Sequence, residues 1–195
     1  LRQPGYEAAP VQGQVLVADG SPGLAVVSDV DDTLLDSQIT DRKKMIENAL
    51  LRSTWELIAF ANAPKVLSQL AQGKPVFYLS GSPWGFHRRI ESYFQRVGFP
   101  EGTLVLKRFS KDPLLDQMGF KYPHLRAIVD SLPMKKFVLF GDSGEKDPEI
   151  YARLRSELPS RVEQIYIHLV TPEPADSTRF MGMRVFKDWA ELTPS

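Results

Sequence analysis

The sequence predicts an α/β fold, with a mainly parallel central sheet of five or more strands and helices on both of its faces. Three observations predict it. Short apolar runs of strand length alternate with longer stretches of helical periodicity five times between Leu24 and Val170, the order expected of βαβ units. The clearest run, LAVVSD, is apolar on successive residues rather than on every second one, as in a strand covered on both faces. Polar residues, most of them acidic, gather where these runs end, and parallel sheets bind ligands beyond the carboxyl ends of their strands.

The elements follow in order. Residues Leu1 to Gly23 carry Pro4, Gly5, Pro10, Gly13, Gly20, Pro22 and Gly23 around one apolar patch, Val15–Val17. They read as an irregular lead-in that adds at most a short strand, and residues 24–195 read as one domain. Leu24–Asp29 is the first strand. Asp41–Phe60 has helical spacing, with Met45, Ala49, Trp55 and Ile58 among its apolar positions, and Ala63–Ala71 is a second helix stopped before Gly73. Segment 41–71 is all that could serve as a lid.

Pro75–Ser80 is the next strand, and GFHRRIESYFQRVG the next helix, closed by Gly98. Thr103–Phe109 is a strand, His124–Leu132 a helix preceded by Lys121, and Lys136–Asp142 the fourth strand. Asp147–Leu158 is a helix with Pro148 at its start. Val162–Val170 is the fifth strand, and MRVFKD a further candidate before a short terminal helix.

Composition excludes some functions. Lys plus Arg number 24 and Asp plus Glu also 24, so no global field favours nucleic acid. With no cysteine, disulfides, thiolate zinc sites and a cysteine nucleophile are excluded. No apolar run approaches the roughly 20 residues that span a bilayer. The first residue is Leu1 rather than Met, which reads as a processed or truncated product and leaves the compartment open.

The strand ends carry the chemistry. In DVDDT, Asp29 ends a strand and Asp31 lies two residues on. One such carboxylate can act as a nucleophile while its neighbour carries the proton, although acid-rich turns are often no more than solvated caps. In YLSGSPW, Ser80 ends a strand and Gly81 frees the backbone, so a hydroxyl and exposed N–H groups can hold a phosphoryl oxygen, although taken alone the motif reads more simply as a strand-to-helix turn with a Ser cap. In LFGDSGEKDPEIY, Asp142 and Asp147 bracket a loop and offer the oxygen ligands that Mg²⁺ requires. Asp147 reads equally well as an N-cap before Pro148. Lys121 can balance the carboxylates, but a lone lysine is ordinarily a surface residue.

Together these residues fall in the order Asp-x-Asp, Ser, Lys, Asp…Asp, three of them at strand ends. In that order and context the chain resembles the haloacid dehalogenase-like (HAD) phosphohydrolases. More narrowly it resembles the App1-type phosphatidate phosphatase catalytic domain, through SDVDDTLLDS, FYLSGSPWGFHRRIESYF, GFPEGTLVLK, KFVLFGDSGEKDPEIYARL and SRVEQIYIHLV. The resemblance implies a Rossmann-like three-layer sandwich with at most a small cap. It implies Asp29 as nucleophile, Asp31 as general acid and base, and Ser80 with Gly81 and Lys121 around the phosphoryl group. It further implies Mg²⁺ held by Asp29, the backbone carbonyl of Asp31, Asp142 and Asp147, with Thr33 bonding within the loop. Gly81 stands where relatives often carry Ser or Asn.

The implied reaction is hydrolysis of a phosphomonoester through an aspartyl-phosphate, with phosphatidate as substrate and diacylglycerol as product. Two other readings stand beside it: a phosphatase of a soluble phosphomonoester, and a module that binds phosphatidate without turnover. The four aspartates argue against the last. SPWGFHRR, directly after Ser80, offers Trp84, Arg88 and Arg89 as candidate membrane contacts, against a plain reading in which Trp84 and Phe86 pack under the loop. His87, His124 and His168 read as surface or packing residues.

Overall fold

The computed structural model describes residues 17–36, 57–108, 110–113 and 116–193. Its centre is a six-stranded, all-parallel sheet. The strands are β1 (Gly23–Ser28), β2 (Val76–Pro83), β3 (Thr103–Lys107), β4 (Lys135–Asp142), β5 (Val162–His168) and β6 (Arg184–Phe186), in spatial order β3-β2-β1-β4-β5-β6. That order reverses direction at β1, beside β4, and such a switch point opens a crevice at the carboxyl edge.

The helices are α1 (Ala63–Leu70), α2 (His87–Val97), α3 (Gln117–Ser131) and α4 (Asp147–Glu157). They make the outer layers because side chains alternate across each strand. Val26 of β1 and Tyr78 of β2 pack with α1 and α2 through Val66, Leu67, Ile90 and Phe94, and the chain end adds Phe186, Trp189 and Leu192 to the same core. Ala25, Val27 and Leu79 point the other way, onto α3 and α4, where they meet Leu125, Val129, Ile150 and Leu154. Among the described residues no helix is long and apolar enough to cross a membrane.

Several boundaries differ from the sequence reading. Ile58 to Phe60 are extended rather than the end of a helix. Asp36 N–H donates to Ile58 O at 2.8 Å and Phe60 N–H to Leu34 O at 3.0 Å, with Leu35 and Ala59 bridged antiparallel. The short apolar run Leu57–Phe60 suits either state, and pairing with Leu34–Asp36 decides it here. The rest of the expected Asp41–Phe60 helix, residues 41–56, lies outside the described residues. Helix α1 buries Ala63, Val66 and Leu67 in the core, so it is a crossover between β1 and β2 and not part of a lid. Of the lead-in, residues 17–22 are irregular, and the patch Val15–Val17 lies almost wholly outside the described residues.

Lys121 does not precede a helix. It lies within α3, which starts at the cap Asp116, whose carboxylate accepts from Gly119 N at 2.8 Å. The helix thus begins well before the expected His124, and Pro123 is an interior proline. Helix α4 starts at Asp147 as expected, but Asp147 is its first helical residue and not its N-cap, which is Lys146, and its side chain turns inward.

Candidate active site

The loop after β1 is built to turn sharply. Leu34 N and Leu35 N both reach Val30 O, at 2.9 and 3.0 Å, while Asp32 N reaches Leu35 O at 2.8 Å. Asp32 takes a left-handed backbone, φ 58°, which aspartate tolerates better than most residues with a Cβ. Its carbonyl meets His168 Nδ1 at 2.9 Å, and the other ring nitrogen meets Lys187 O at 3.2 Å. His168 is therefore a buried brace for this loop, while Trp189 Nε1 donates to Thr33 O at 3.1 Å from the chain's far end.

This turn sends the two catalytic candidates different ways. Asp29 is buried, with Oδ2 accepting from Thr33 Oγ1 at 3.1 Å and Oδ1 lying 2.6 Å from Lys121 Nζ. That second contact is an ion pair without hydrogen-bond alignment, and Asp29 Oδ1 has no hydrogen-bond donor of its own. Asp31 instead faces hydroxyls. Ser80 Oγ donates to its Oδ2 at 2.7 Å, and Ser82 Oγ lies 3.0 and 3.2 Å from its two oxygens. Ser82 N also donates to Ser80 Oγ at 2.9 Å. A register shift between Ser80 and Pro83 relative to β3 marks this strand end as irregular, and such bulges re-aim side chains beside functional sites.

The end of β4 completes the cluster. Asp142 Oδ1 accepts from Gly144 N at 2.6 Å and Glu145 N at 2.9 Å, which leaves Oδ2 buried without a donor. Asp147 Oδ2 accepts from Asp142 N at 3.2 Å, and its Oδ1 from Lys121 Nζ at 2.7 Å. Gly141 is required here, because a Cβ on it would come 2.5 Å from Asp147 Cβ. Lys121 also donates to Glu145 Oε2 at 2.9 Å.

One oxygen from each of Asp29, Asp142 and Asp147 lies within 4.8 Å of the others. Three hard, buried carboxylates with two oxygens lacking a hydrogen-bond donor fit a divalent cation that prefers oxygen ligands. The electrostatics say the same. Burial pushes Asp29 up to about 8, against the pull of Lys121 and with Asp147 and Asp31 adding to the rise. Burial, then Asp147 and Asp29, push Asp142 well above the usual carboxylate range. Burial alone would lower Lys121, but Asp147, Asp29 and Asp142 outweigh it and hold the ammonium above its ordinary value. The site is short of positive charge.

The structure thus brings Asp29, Asp31, Ser80, Lys121, Asp142 and Asp147 together and adds Ser82 and Glu145, which the sequence reading did not single out, and His168, which it read as a surface or packing residue. Ser82 was visible as the second hydroxyl of S-x-S. A lone Glu145 in a polar turn carries no signal. Gly81 sits half-buried between the two serines. Of the candidate membrane contacts, Trp84 is 45% exposed. Arg108 stands 4.8 Å from its ring centre and the His87 ring 4.7 Å away. Arg88 is exposed and Arg89 half-buried, while Phe86 packs against the core as the plain reading held.

Comparison with known proteins agrees with these motifs. Over 161 residues, 79% of its length, the chain is 29% identical to "Phosphatidate phosphatase APP1" of Saccharomyces cerevisiae. Over 152 residues, 74% of its length, it is 27% identical to "Uncharacterized protein C29B5.04c" of Schizosaccharomyces pombe. It spans about a quarter of those relatives, the matches covering 27% and 25% of their lengths. Residues 24–169, which hold the site residues above, match the family described as "Phosphatidate phosphatase APP1, catalytic domain", and the chain belongs to that family.

Proposed function

We propose that this chain is a metal-dependent phosphatase of the HAD type that hydrolyses phosphatidate to diacylglycerol and inorganic phosphate. One observation carries the reading: Asp29 belongs at once to the buried acidic trio and to the Lys121 pair, while Asp31 is held apart on hydroxyls. Two carboxylates two residues apart in such different settings suit different roles.

Mg²⁺ would be held by Asp29, Asp142 and the backbone carbonyl of Asp31, with Asp147 completing the site, and would supply charge neutralisation and polarisation of a phosphoryl oxygen. Lys121 offsets further negative charge. Ser80 and the Gly81 backbone bind the phosphoryl group. A carboxylate oxygen of Asp29 attacks phosphorus, and the bond from phosphorus to the glycerol oxygen breaks. Asp31 gives that oxygen its proton, then takes one from water. The water attacks the aspartyl-phosphate, freeing Asp29 and inorganic phosphate.

The lipid substrate rests on the family and on the rim of the site. Trp84 lies two residues beyond Ser82 and is 45% exposed, with Arg108 over its ring and exposed Arg88 four residues further along the chain. An amphipathic ring next to cations suits peripheral contact with an anionic membrane.

The test measures phosphate release from phosphatidate in mixed micelles and from a soluble phosphomonoester, with Mg²⁺ and with chelator, for the wild type and for Asp29→Asn. Mg²⁺-dependent release from phosphatidate that disappears in Asp29→Asn is the expected result. Release from the soluble compound alone would keep the chemistry and discard the lipid. Vesicle binding without release from either substrate would mark a binding module.

A further inference from the structure

Arg179 lies in the loop between β5 and β6, in none of the motifs that carry the proposed chemistry. Every N–H of its guanidinium fork is directed at an acceptor. Nε and Nη2 donate to the two oxygens of Glu149, at 2.8 and 3.1 Å, and Nη1 also donates to Glu173 Oε2 at 3.1 Å. The remaining two bonds go to backbone carbonyls of the loop that joins Asp142 to Asp147: Nη1 to Ser143 O at 2.6 Å and Nη2 to Glu145 O.

Ser143 O belongs to the same peptide unit as the Gly144 N–H, and a peptide unit is planar. Arg179 therefore holds one end of a rigid group whose other end donates to Asp142 Oδ1 at 2.6 Å. Turning that peptide over would break both bonds together. The peptide between Glu145 and Lys146 is held likewise, by Arg179 on its oxygen and by Gln117 Oε1 on its nitrogen at 3.1 Å. Between these two fixed units lies Glu145, whose side chain reaches Lys121. A second tie joins the same loops: Ser143 Oγ accepts from Val170 N at 2.9 Å and Thr171 N at 3.1 Å.

We propose that Arg179 is a positioning residue for the metal site: by fixing the Ser143–Gly144 and Glu145–Lys146 peptides, it keeps Asp142 Oδ1 occupied by the backbone, so that Oδ2 faces the metal, and keeps Glu145 on Lys121. The inference rests on the metal-dependent reading above. It gives the loop of residues 171–183 a task at the site, performed from outside it. Groups that orient metal ligands in this way typically change metal affinity by about 10- to 100-fold when removed.

The test is Mg²⁺ binding by titration calorimetry, at fixed ionic strength, for the wild type, Arg179→Lys and Arg179→Ala, beside the melting temperature of each in chelator. Both variants should bind Mg²⁺ about 10- to 100-fold more weakly. Lysine should not rescue, because an ammonium cannot span two carbonyls as a planar fork does. Added guanidinium ion should restore affinity in Arg179→Ala, whereas sodium at equal ionic strength should not. An Arg179 that merely staples two loops would lower the melting temperature and leave the Mg²⁺ affinity unchanged, and that result overturns the proposal. Should Arg179→Ala not fold, Glu149→Gln loosens the same guanidinium from the helix side and should weaken Mg²⁺ binding in the same direction. A wild type that binds no Mg²⁺ overturns both the function and this inference. One that binds Mg²⁺ but hydrolyses neither substrate overturns the function alone.

Discussion

Lys121 and Lys135 are both almost wholly buried, at 1% and 6% exposed, yet they sit at opposite ends of the sheet in opposite surroundings. Lys135 begins β4 and pairs with one carboxylate, Asp19, at 2.6 Å, with Ser21 Oγ at 3.4 Å. Asp19 is itself 72% exposed, so water shares the work. Lys121 touches Asp29, Asp147 and Glu145 at 2.6, 2.7 and 2.9 Å, and the first two are buried with it. One ammonium matches one carboxylate at Lys135. At Lys121 it falls short, and the deficit is what a divalent cation would fill. Burial of a lysine therefore says little by itself; the balance of buried charge around it says where chemistry belongs.

Removing each lysine should expose the difference, and Lys121→Met should show the largest effect. Taking one partner from a buried ionic cluster costs about 3–5 kcal/mol, since the remaining charges stay uncompensated. Urea unfolding in chelator should show a loss of that order, together with loss of turnover in Mg²⁺. A midpoint no lower than that of Lys135→Met would break the comparison.

The metal-free protein should also carry the deficit in its pH dependence. Asp29 is raised from 3.8 to about 8 by burial, with Asp147 and Asp31 adding to it. Between those values the folded state binds a proton that the unfolded state has released, so stability falls as pH rises. The protein in chelator should thus melt progressively lower from about pH 4 to about pH 8, and added Mg²⁺ should flatten the slope. Melting curves across that range decide the matter; a chelated protein that gains stability from Asp29 as pH rises would mean the site is not short of charge.

How much of this was legible in the sequence follows from range. The β-branched runs and the acids at their ends are local signals, so the sheet and the acids Asp29, Asp31 and Asp142 could be read directly, while Ser80 and Asp147 gained a role only in company with them. Lys121 became visible only through its order among the others, and its helix, expected from His124, in fact starts at Gln117 and carries Pro123 in its interior. Arg179 could not be read at all: its partner Ser143 is 36 residues away, and neither residue is unusual where it stands. Ile58 to Phe60 failed for the same reason, since their state is decided by Leu34–Asp36, far earlier in the chain. Gly141 shows how a local signal can be under-read. It looks like a strand exit, but its missing Cβ is what admits Asp147. Gly141→Ala should cost about 1–3 kcal/mol through overpacking and weaken Mg²⁺ binding. Unchanged affinity by calorimetry would mean that Asp147 can approach by another route.

The smallest effect belongs to Lys135→Met. Methionine fills a similar volume, and its thioether needs no counter-charge in a buried site. The partner it abandons, Asp19, returns to water. Turnover and Mg²⁺ affinity should therefore match the wild type, and the melting temperature should move little near neutral pH. What remains has a definite sign. Lys135, by its hydrogen bond, and then Ser21 hold Asp19 below its ordinary 3.8, so any stabilisation from the pair is present above that pH and is lost as pH falls through the depressed value. The small difference between wild type and variant should shrink in acid, as seen by melting the two side by side from neutral pH downward. A variant that instead loses Mg²⁺ affinity would mean that the two ends of the sheet are coupled, and that the contrast between its two buried lysines is not a local one.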